Sequence, residues 1–144
     1  MQVDFYQLTR DPATSVVPLL VQRALDAGER VLVVTGGVPS VEEISAALWN
    51  HQPQSFLAHA IAGQGDDAAQ PVLISDAPIA GNGARFCVIA DGIWRDGQGF
   101  ARMFFLFPPE RTEAARDAWR VLSRNDEMTL NYWRQDGGKW RKGP

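Results

Sequence analysis

The sequence has one cysteine and no long apolar run, and both shortages narrow the classes of protein to which it can belong. With Cys87 alone, no disulfide can form within the chain, and the apolar segment RFCVIAD around it favours a buried structural thiol over a nucleophile or metal ligand. The apolar runs are shorter than the roughly 18 residues that a membrane-spanning helix requires. The N-terminal MQVDFYQL has neither the basic start nor the apolar core of a signal peptide. We therefore predict a cytoplasmic protein with no membrane contact.

The sequence also lacks the motifs that mark common catalytic and nucleotide-binding sites. Neither G-x-G-x-x-G nor G-x-x-x-x-G-K-[ST] is present, and the turn VTGGVPS offers only the adjacent pair Gly36 and Gly37. His51 and His59 flank a proline and have no nearby cysteine or H-x-x-x-H partner of the kind that zinc sites use. We interpret both as surface or hydrogen-bonding histidines, and we expect no metal and no cofactor.

The composition is that of an ordinary globular domain, but the charge is unevenly distributed. The 144 residues, 45% of them hydrophobic and 22% charged, suffice for one domain, 1–144, with its own core. Residues 1–110 carry six Lys and Arg against twelve Asp and Glu, whereas residues 111–144 carry eight against five. An acidic body repels phosphates, so direct DNA binding is expected to be weak or absent. The basic C-terminal part is either a solvated face or an anion-binding surface.

Apolar patterning predicts alternating strands and helices. Continuous apolar runs such as RVLVVTGG are typical of parallel strands buried on both faces, and Ser40 with Glu43 predicts a capping box at the start of the second helix. We predict strands at 3–8, 30–37, 71–76, 85–91 and 101–109, and helices at 14–28, 39–50 and 110–125. A β-prone piece and a basic glycine-containing tail, about 135–144, follow. The pattern predicts a single α/β domain with an open, mostly parallel sheet of about five strands flanked by helices, resembling a mononucleotide-binding (Rossmann-like) fold.

Such a fold leaves open an alternative function as a nucleotide-binding domain or small enzyme. Asp76 and Asp91 end apolar strands, where active-site carboxylates often lie in α/β proteins, and the Gly36–Gly37 turn follows another strand. Aspartates also begin loops because of their turn chemistry, and two adjacent glycines fit a tight turn as well as a phosphate cradle. These residues identify no particular reaction.

Aromatic and arginine side chains suggest binding surfaces instead. Trp119 ends the apolar stripe of the third helix, and Arg116 and Arg120 lie one turn apart beside it. Arginine pairs with carboxylates through two hydrogen bonds, and an indole ring offers a wall for apolar contact. The alternative is that Trp119 is a core residue. Trp49, at the end of the second helix, lies beside the buried face of that helix and is expected to be partly exposed.

The C-terminal segment YWRQDGGKWRKGP carries a third possibility. Tyr132, Trp133 and Trp140 lie between cations and would suit stacking on single-stranded bases. We prefer the interpretation of a poorly ordered tail packed by one tryptophan.

Several segments, taken in order, resemble the chi subunit of bacterial DNA polymerase III over nearly the whole chain. They are VDFYQL, GERVLVVTGG, the ALW that ends the second helix, QSFLAHAIAGQG, ARDAWR and YWRQ. The most specific segment is 48–65, where the family has Leu-Trp, then Ser-Phe-x-Pro-His and a short glycine-rich turn. Ala58 replaces the usual proline, and the matching residues are Trp49, Ser55, Phe56, His59, Gly63 and Gly65.

The resemblance implies a non-catalytic accessory protein of the clamp-loader complex in DNA replication. Chi-like proteins bind the psi subunit as a heterodimer, which joins them to the clamp loader. They also bind the acidic C-terminal tail of single-stranded DNA-binding protein, and helicases and repair proteins are further candidate partners. Matching positions imply a tail pocket formed by Trp49, Arg116, Trp119 and Arg120. Phe56 would belong to a largely apolar psi-binding surface.

Two positions in the implied tail pocket depart from well-known members of the family. Trp119 stands where they have a tyrosine, and Thr112 stands where they have a lysine, with Arg111 next to it. The aromatic and cationic character of the pocket is retained.

Overall fold

One mostly parallel sheet of eight strands organises the computed structural model, which describes residues 1–51, 57–97, 99–136 and 139–143. The strands are β1 (Gln2–Gln7), β2 (Val31–Val34), β3 (Ala60–Ile61), β4 (Val72–Ser75), β5 (Phe86–Ile89), β6 (Arg102–Phe107), β7 (Thr129–Asp136) and β8 (Lys139–Lys142). Their order across the sheet is β3-β4-β2-β5-β6-β1-β7-β8. Only the pairing of β7 with β8 is antiparallel among the described strands. The predicted α/β class with a mostly parallel sheet is confirmed.

The number of strands differs from the sequence prediction, which expected about five. β3 has two residues, too few to show a hydrophobic period. β7 and β8 come from the C-terminal segment that the sequence assigned to a β-prone piece and a poorly ordered tail. Both Trp133 and Trp140 pack against Tyr6 of β1, with ring centroids 6.5 and 5.0 Å away. These contacts hold the C-terminal hairpin on the sheet and use the aromatic rings that were considered for base stacking.

Helices cover both faces of the sheet in the described part of the chain. Helices α1 (Ala13–Asp26) and α2 (Val41–Asn50) pack on one face, and α3 (Thr112–Leu122) packs on the other. The predicted capping box of α2 is confirmed, because the Ser40 hydroxyl accepts from the Glu43 N–H and the Glu43 carboxylate accepts from the Ser40 N–H. α3 begins two residues later than predicted, because a 3₁₀ turn, Pro109–Arg111, precedes it, and it ends three residues earlier, at Leu122.

Each face of the sheet carries its own apolar cluster, because side chains alternate along a strand. Ile44 and Leu48 of α2 join the cluster under α1, whereas Ala115 and Leu122 of α3 join the cluster on the opposite face. Cys87 is fully buried in this second cluster, and burial raises the pKa of its thiol to about 12. The predicted structural role of this cysteine is confirmed.

A buried glutamine fixes β7 to the start of α1. The Gln135 Oε1 atom accepts from the backbone N–H groups of Thr9, Arg10 and Asp11, at 3.3, 2.9 and 3.0 Å. Its Nε2 donates to the Asp11 carboxylate at 2.7 Å. This one side chain therefore satisfies three loop donors that would otherwise need water, and it orients the strand that forms one wall of the candidate site.

Candidate functional site

A pocket of about 430 Å³ lies between α3 and the C-terminal strands. The helix contributes three of the residues predicted for a binding site, and the strands contribute the opposite wall. The lining consists of Arg116, Trp119, Arg120, Leu130, Asn131, Tyr132, Lys142 and Gly143. This volume is within the range of small-ligand sites, so the pocket is large enough for an aromatic side chain and its neighbouring carboxylate.

The spacing of α3 explains how one helix supplies both core and pocket. Ala115 and Leu122 are buried against the sheet, and Trp119, between them, is only partly buried. The Trp119 ring makes edge-to-face contacts with Phe5 of β1 and Tyr132 of β7, at centroid distances of 5.1 and 5.9 Å. Part of the indole therefore packs in the core and part lines the pocket, so the geometry is compatible with both interpretations of Trp119.

The pocket has a neutral wall and a cationic rim. The side chains of Arg116 and Arg120 are exposed, and Arg120 donates to the Asp117 carboxylate at 2.7 Å. Arg116 makes no ion pair with the residues that the structure describes. The Tyr132 hydroxyl donates to Gln7 Oε1 at 2.6 Å. Burial raises the pKa of Tyr132, although the charges of Arg116 and Arg134 oppose that increase.

Trp49 lies far from the other predicted pocket residues. Helix α2 contacts β3 and β4 on the face of the sheet that α1 shares, whereas Trp119 packs over β1 and β7 on the other face. Three strands separate β4 from β1, a distance of about 19 Å across the sheet. The expectation of one four-residue pocket is therefore wrong for Trp49, because residues on opposite faces of a sheet cannot line the same pocket.

The surroundings of Trp49 belong to a different part of the surface. Its side chain is 46% exposed, as expected, and its ring centroid lies 4.5 Å from that of His59. His59 Nδ1 is 2.7 Å from the Leu57 carbonyl oxygen and Nε2 is 2.8 Å from the Ser45 hydroxyl. Because a carbonyl only accepts, Nδ1 carries a proton, and in the neutral ring Nε2 accepts from the Ser45 hydroxyl. His59 is the hydrogen-bonding histidine that the sequence predicted. Phe56 lies outside the described residues.

The residues of the alternative nucleotide or enzyme site are arranged differently. Asp91 is buried, and its carboxylate accepts from the Arg95 guanidinium at 2.8 and 2.9 Å and from the N–H groups of Gly36 and Ile93 at 2.8 and 3.2 Å. Burial alone would raise the pKa of Asp91, but these hydrogen bonds outweigh it and lower the pKa. The Gly36 N–H that a phosphate would need already has a carboxylate partner.

Asp76, the other carboxylate of the alternative site, is exposed and forms no ion pair with the described residues. It lines a shallow pocket of about 230 Å³ together with Gly36 and Gly37, and Asp91 is not among the lining residues. The described residues include no group of three or more His, Cys, Asp or Glu placed to hold a metal ion.

Five of the eight pocket-lining residues were not predicted as part of this site. Leu130, Asn131, Tyr132, Lys142 and Gly143 lie on or beside the two C-terminal strands. The alternation of Leu130 and Tyr132 in a β-prone segment was the available signal for a strand with one apolar face. What the alternation did not indicate is that this face lies against α3.

The fold and the pocket define a mostly parallel α/β domain whose open site suits a ligand with both an anionic and an apolar group. Residues 1–129 match the model of the family described as DNA polymerase III chi subunit, HolC. The chain therefore belongs to the chi-subunit family of DNA polymerase III, a family of DNA replication proteins. The match ends at the first residue of β7.

No curated protein matches the chain. Across the described ranges, the helices are all too short or too polar to cross a membrane.

Proposed function

We propose that this chain is a non-catalytic accessory subunit of the DNA polymerase III clamp-loader complex. It bridges the psi subunit to the acidic C-terminal tail of single-stranded DNA-binding protein during replication. The family of the chain supports the replication context, and the pocket beside α3 supports the tail-binding half of the proposal.

The observation that carries the proposal is the combination of cations and apolar walls in one pocket. A tail rich in aspartate and ending in a phenylalanine carboxylate needs a cation for the carboxylate and an apolar slot for the ring. Arg116 is available for the carboxylate, and Trp119 and Leu130 supply apolar surface. The remaining aspartates of the tail would lie along the basic rim, where they contribute long-range attraction.

The expected affinity is micromolar, on the order of −8 kcal/mol, and salt-sensitive. Truncating a residue at the centre of such an interface costs about 2 kcal/mol of binding free energy. Arg116→Ala should therefore weaken tail binding by roughly 30-fold, as measured by the fluorescence anisotropy of a labelled tail peptide.

Arg124→Ala is the matched control for this experiment. Arg124 is an exposed arginine just beyond the end of α3, outside the pocket lining. Its removal changes the net charge of the protein by the same amount, so it reports the general electrostatic contribution. Equal affinities for the two variants would overturn the assignment of this pocket.

We assign the psi-binding half of the proposal to the other face of the sheet. Phe56 is the residue that the resemblance implies for this surface, and Trp49 ends the helix that leads to it. The half-exposed indole of Trp49 and its distance from the tail pocket support a role of Trp49 in psi binding rather than in tail binding. Aromatic side chains of this kind are common anchors in protein interfaces.

Co-purification with psi tests this second half. Trp49→Ala and Phe56→Ala should each lose psi while they retain the affinity of the wild type for the tail peptide. Ile79→Ala provides a control, because Ile79 is an exposed apolar residue, at 73%, in another loop. Retention of psi by both aromatic variants would contradict the assignment.

A further inference from the structure

The open edge of the sheet at β8 combines unpaired backbone groups with a high density of positive charge. β8 is the last strand in the sheet order, so no described strand covers its outer side. Three of its four residues are cationic, namely Lys139, Arg141 and Lys142. Of these, Arg141 pairs with Asp136 of β7 at 2.5 Å, while the two lysines form no ion pair within the described ranges.

The hydrogen-bond register shows which backbone groups face the open edge. Gly143 N–H donates to the Tyr132 carbonyl oxygen at 2.8 Å, and the next pair along the ladder is Lys142 with Trp133. Hydrogen-bonded and non-hydrogen-bonded pairs alternate in an antiparallel ladder. The N–H and C=O groups of Lys142, and of Trp140 two residues away, therefore point outward from the sheet.

This edge is continuous with the pocket beside α3. Lys142 and Gly143, at the end of β8, are themselves part of the pocket lining. On the neighbouring strand β7, Tyr132 lines the pocket and Arg134 follows on the same face. A peptide that is bound in the pocket and extends toward the C-terminal hairpin therefore reaches the open edge of β8 within one or two of its own residues.

We propose that the edge of β8 binds an extended acidic peptide segment as an additional strand of the sheet. The outward N–H and C=O groups of Trp140 and Lys142 would pair with the peptide backbone, and the cations of β8 would attract its carboxylates. The inference rests on the proposed function, since it assigns the residues of the acidic tail that lie outside the pocket to this edge. Strand addition of this type is a common mode of peptide recognition.

The charge on β8 argues for an acidic partner and against a second copy of this chain. Lysines on an edge strand discourage pairing with another edge of the same charge, so two copies of β8 would repel each other. An aspartate-rich segment instead meets the positive charges of Lys139 and Lys142, at the two ends of the strand. The opposite edge of the sheet, β3, has only two residues and is followed by Asp66 and Asp67, so it offers neither the length nor the sign of charge.

A pair of substitutions at one position separates backbone pairing from charge. Lys142→Pro and Lys142→Ala both remove the positive charge, but only proline removes the N–H that faces the edge, at a position where an edge strand tolerates it. The probes are an acidic tail peptide of about ten residues and its last four residues alone, which span only ~13 Å when extended. For the long peptide, Lys142→Pro should bind about fivefold to tenfold more weakly than Lys142→Ala. For the short peptide, the two variants should bind equally.

The two peptides also distinguish the failure of this inference from the failure of the proposed function. Equal affinities of the proline and alanine variants for the long peptide would overturn strand addition while leaving the pocket intact. If neither peptide binds the wild-type protein, both proposals are overturned.

Amide hydrogen exchange of the wild-type protein gives a test that does not depend on the folding of the proline variant. The long peptide should slow the exchange of the Trp140 and Lys142 amides, and the short peptide should leave the amide of Trp140, which does not line the pocket, unchanged. Absence of protection by the long peptide at saturation would overturn the proposal.

Discussion

Two arginine sites in this protein differ in whether the chain itself supplies the carboxylate. Arg95 lies at the carboxyl end of the sheet, and its guanidinium is held by the buried Asp91, whose side chain is 1% exposed. Arg116 lies on α3 beside an open pocket and has no acidic partner in the described part of the chain.

The difference shows how one side-chain type serves structure in one place and binding in another. At the first site, the arginine, the carboxylate and the N–H groups of Gly36 and Ile93 satisfy each other, so little binding capacity remains for a ligand. At the second site, no described carboxylate pairs with Arg116, and the pocket wall beside it is apolar. We therefore expect substitutions at the first site to change stability and substitutions at the second to change binding.

The largest effect is expected for Asp91→Asn, which leaves the Arg95 guanidinium without a counter-charge in a mostly buried position. Breaking a buried pair in this way costs about 3 kcal/mol, as measured by urea unfolding, while the affinity for the tail peptide should not change. Asp76→Asn is the matched control, because Asp76 is an exposed aspartate that follows β4 and forms no ion pair with the described residues. A loss of peptide binding in folded Asp91→Asn would break the distinction between the two sites.

Trp119→Leu is expected to affect both stability and binding, because Trp119 belongs to both the core and the pocket. Truncation of this partly buried ring should cost about 1–2 kcal/mol of stability and weaken the tail peptide about tenfold. Trp94→Leu is the control, since Trp94 packs on Phe5 and Phe105 in the same apolar cluster but does not line the pocket. If both variants bind the peptide equally well, Trp119 is only a core residue.

The dependence of stability on acidic pH tests the hydrogen bonds assigned to Asp91. Because the folded protein lowers the pKa of Asp91, its contribution to stability is present above the unfolded value, about 3.9, and is lost as the pH falls through the folded value. The difference in unfolding free energy between wild type and Asp91→Asn should thus narrow as the pH falls from about 5 toward 2. A difference that stays constant over this range would contradict the assigned hydrogen bonds.

The smallest effect is expected for Asp117→Asn, which releases Arg120 from an exposed ion pair. Such pairs are weak, so the tail peptide should bind only about twofold to threefold more tightly at low salt, with the gain disappearing at high salt. Asp66→Asn changes the net charge equally at the far edge of the sheet and should have no effect. An equal gain in both variants would mean that general charge, rather than Arg120, controls the affinity.

The helices, the capping box of α2, the buried cysteine and the parallel core strands followed from local patterns in the sequence. These features depend on hydrophobic periodicity and on hydrogen bonds between residues close together in the chain. The strands β7 and β8 were harder to predict because their stability comes from distant residues. β7 is parallel to β1, more than 120 residues away in sequence, and Gln135 binds the loop that begins α1.

The sequence by itself determined the fold class, the family resemblance and the placement of Arg116, Trp119 and Arg120 on one side of a helix. Spacing along a single helix is enough for that, because a helical turn has a fixed period. The tertiary structure alone decided that Trp49 lies on the opposite face, that β7 forms the second wall of the pocket and that β8 leaves an open basic edge. These relations depend on the order of strands in the sheet, which is set by the packing of the whole chain and not by any local period.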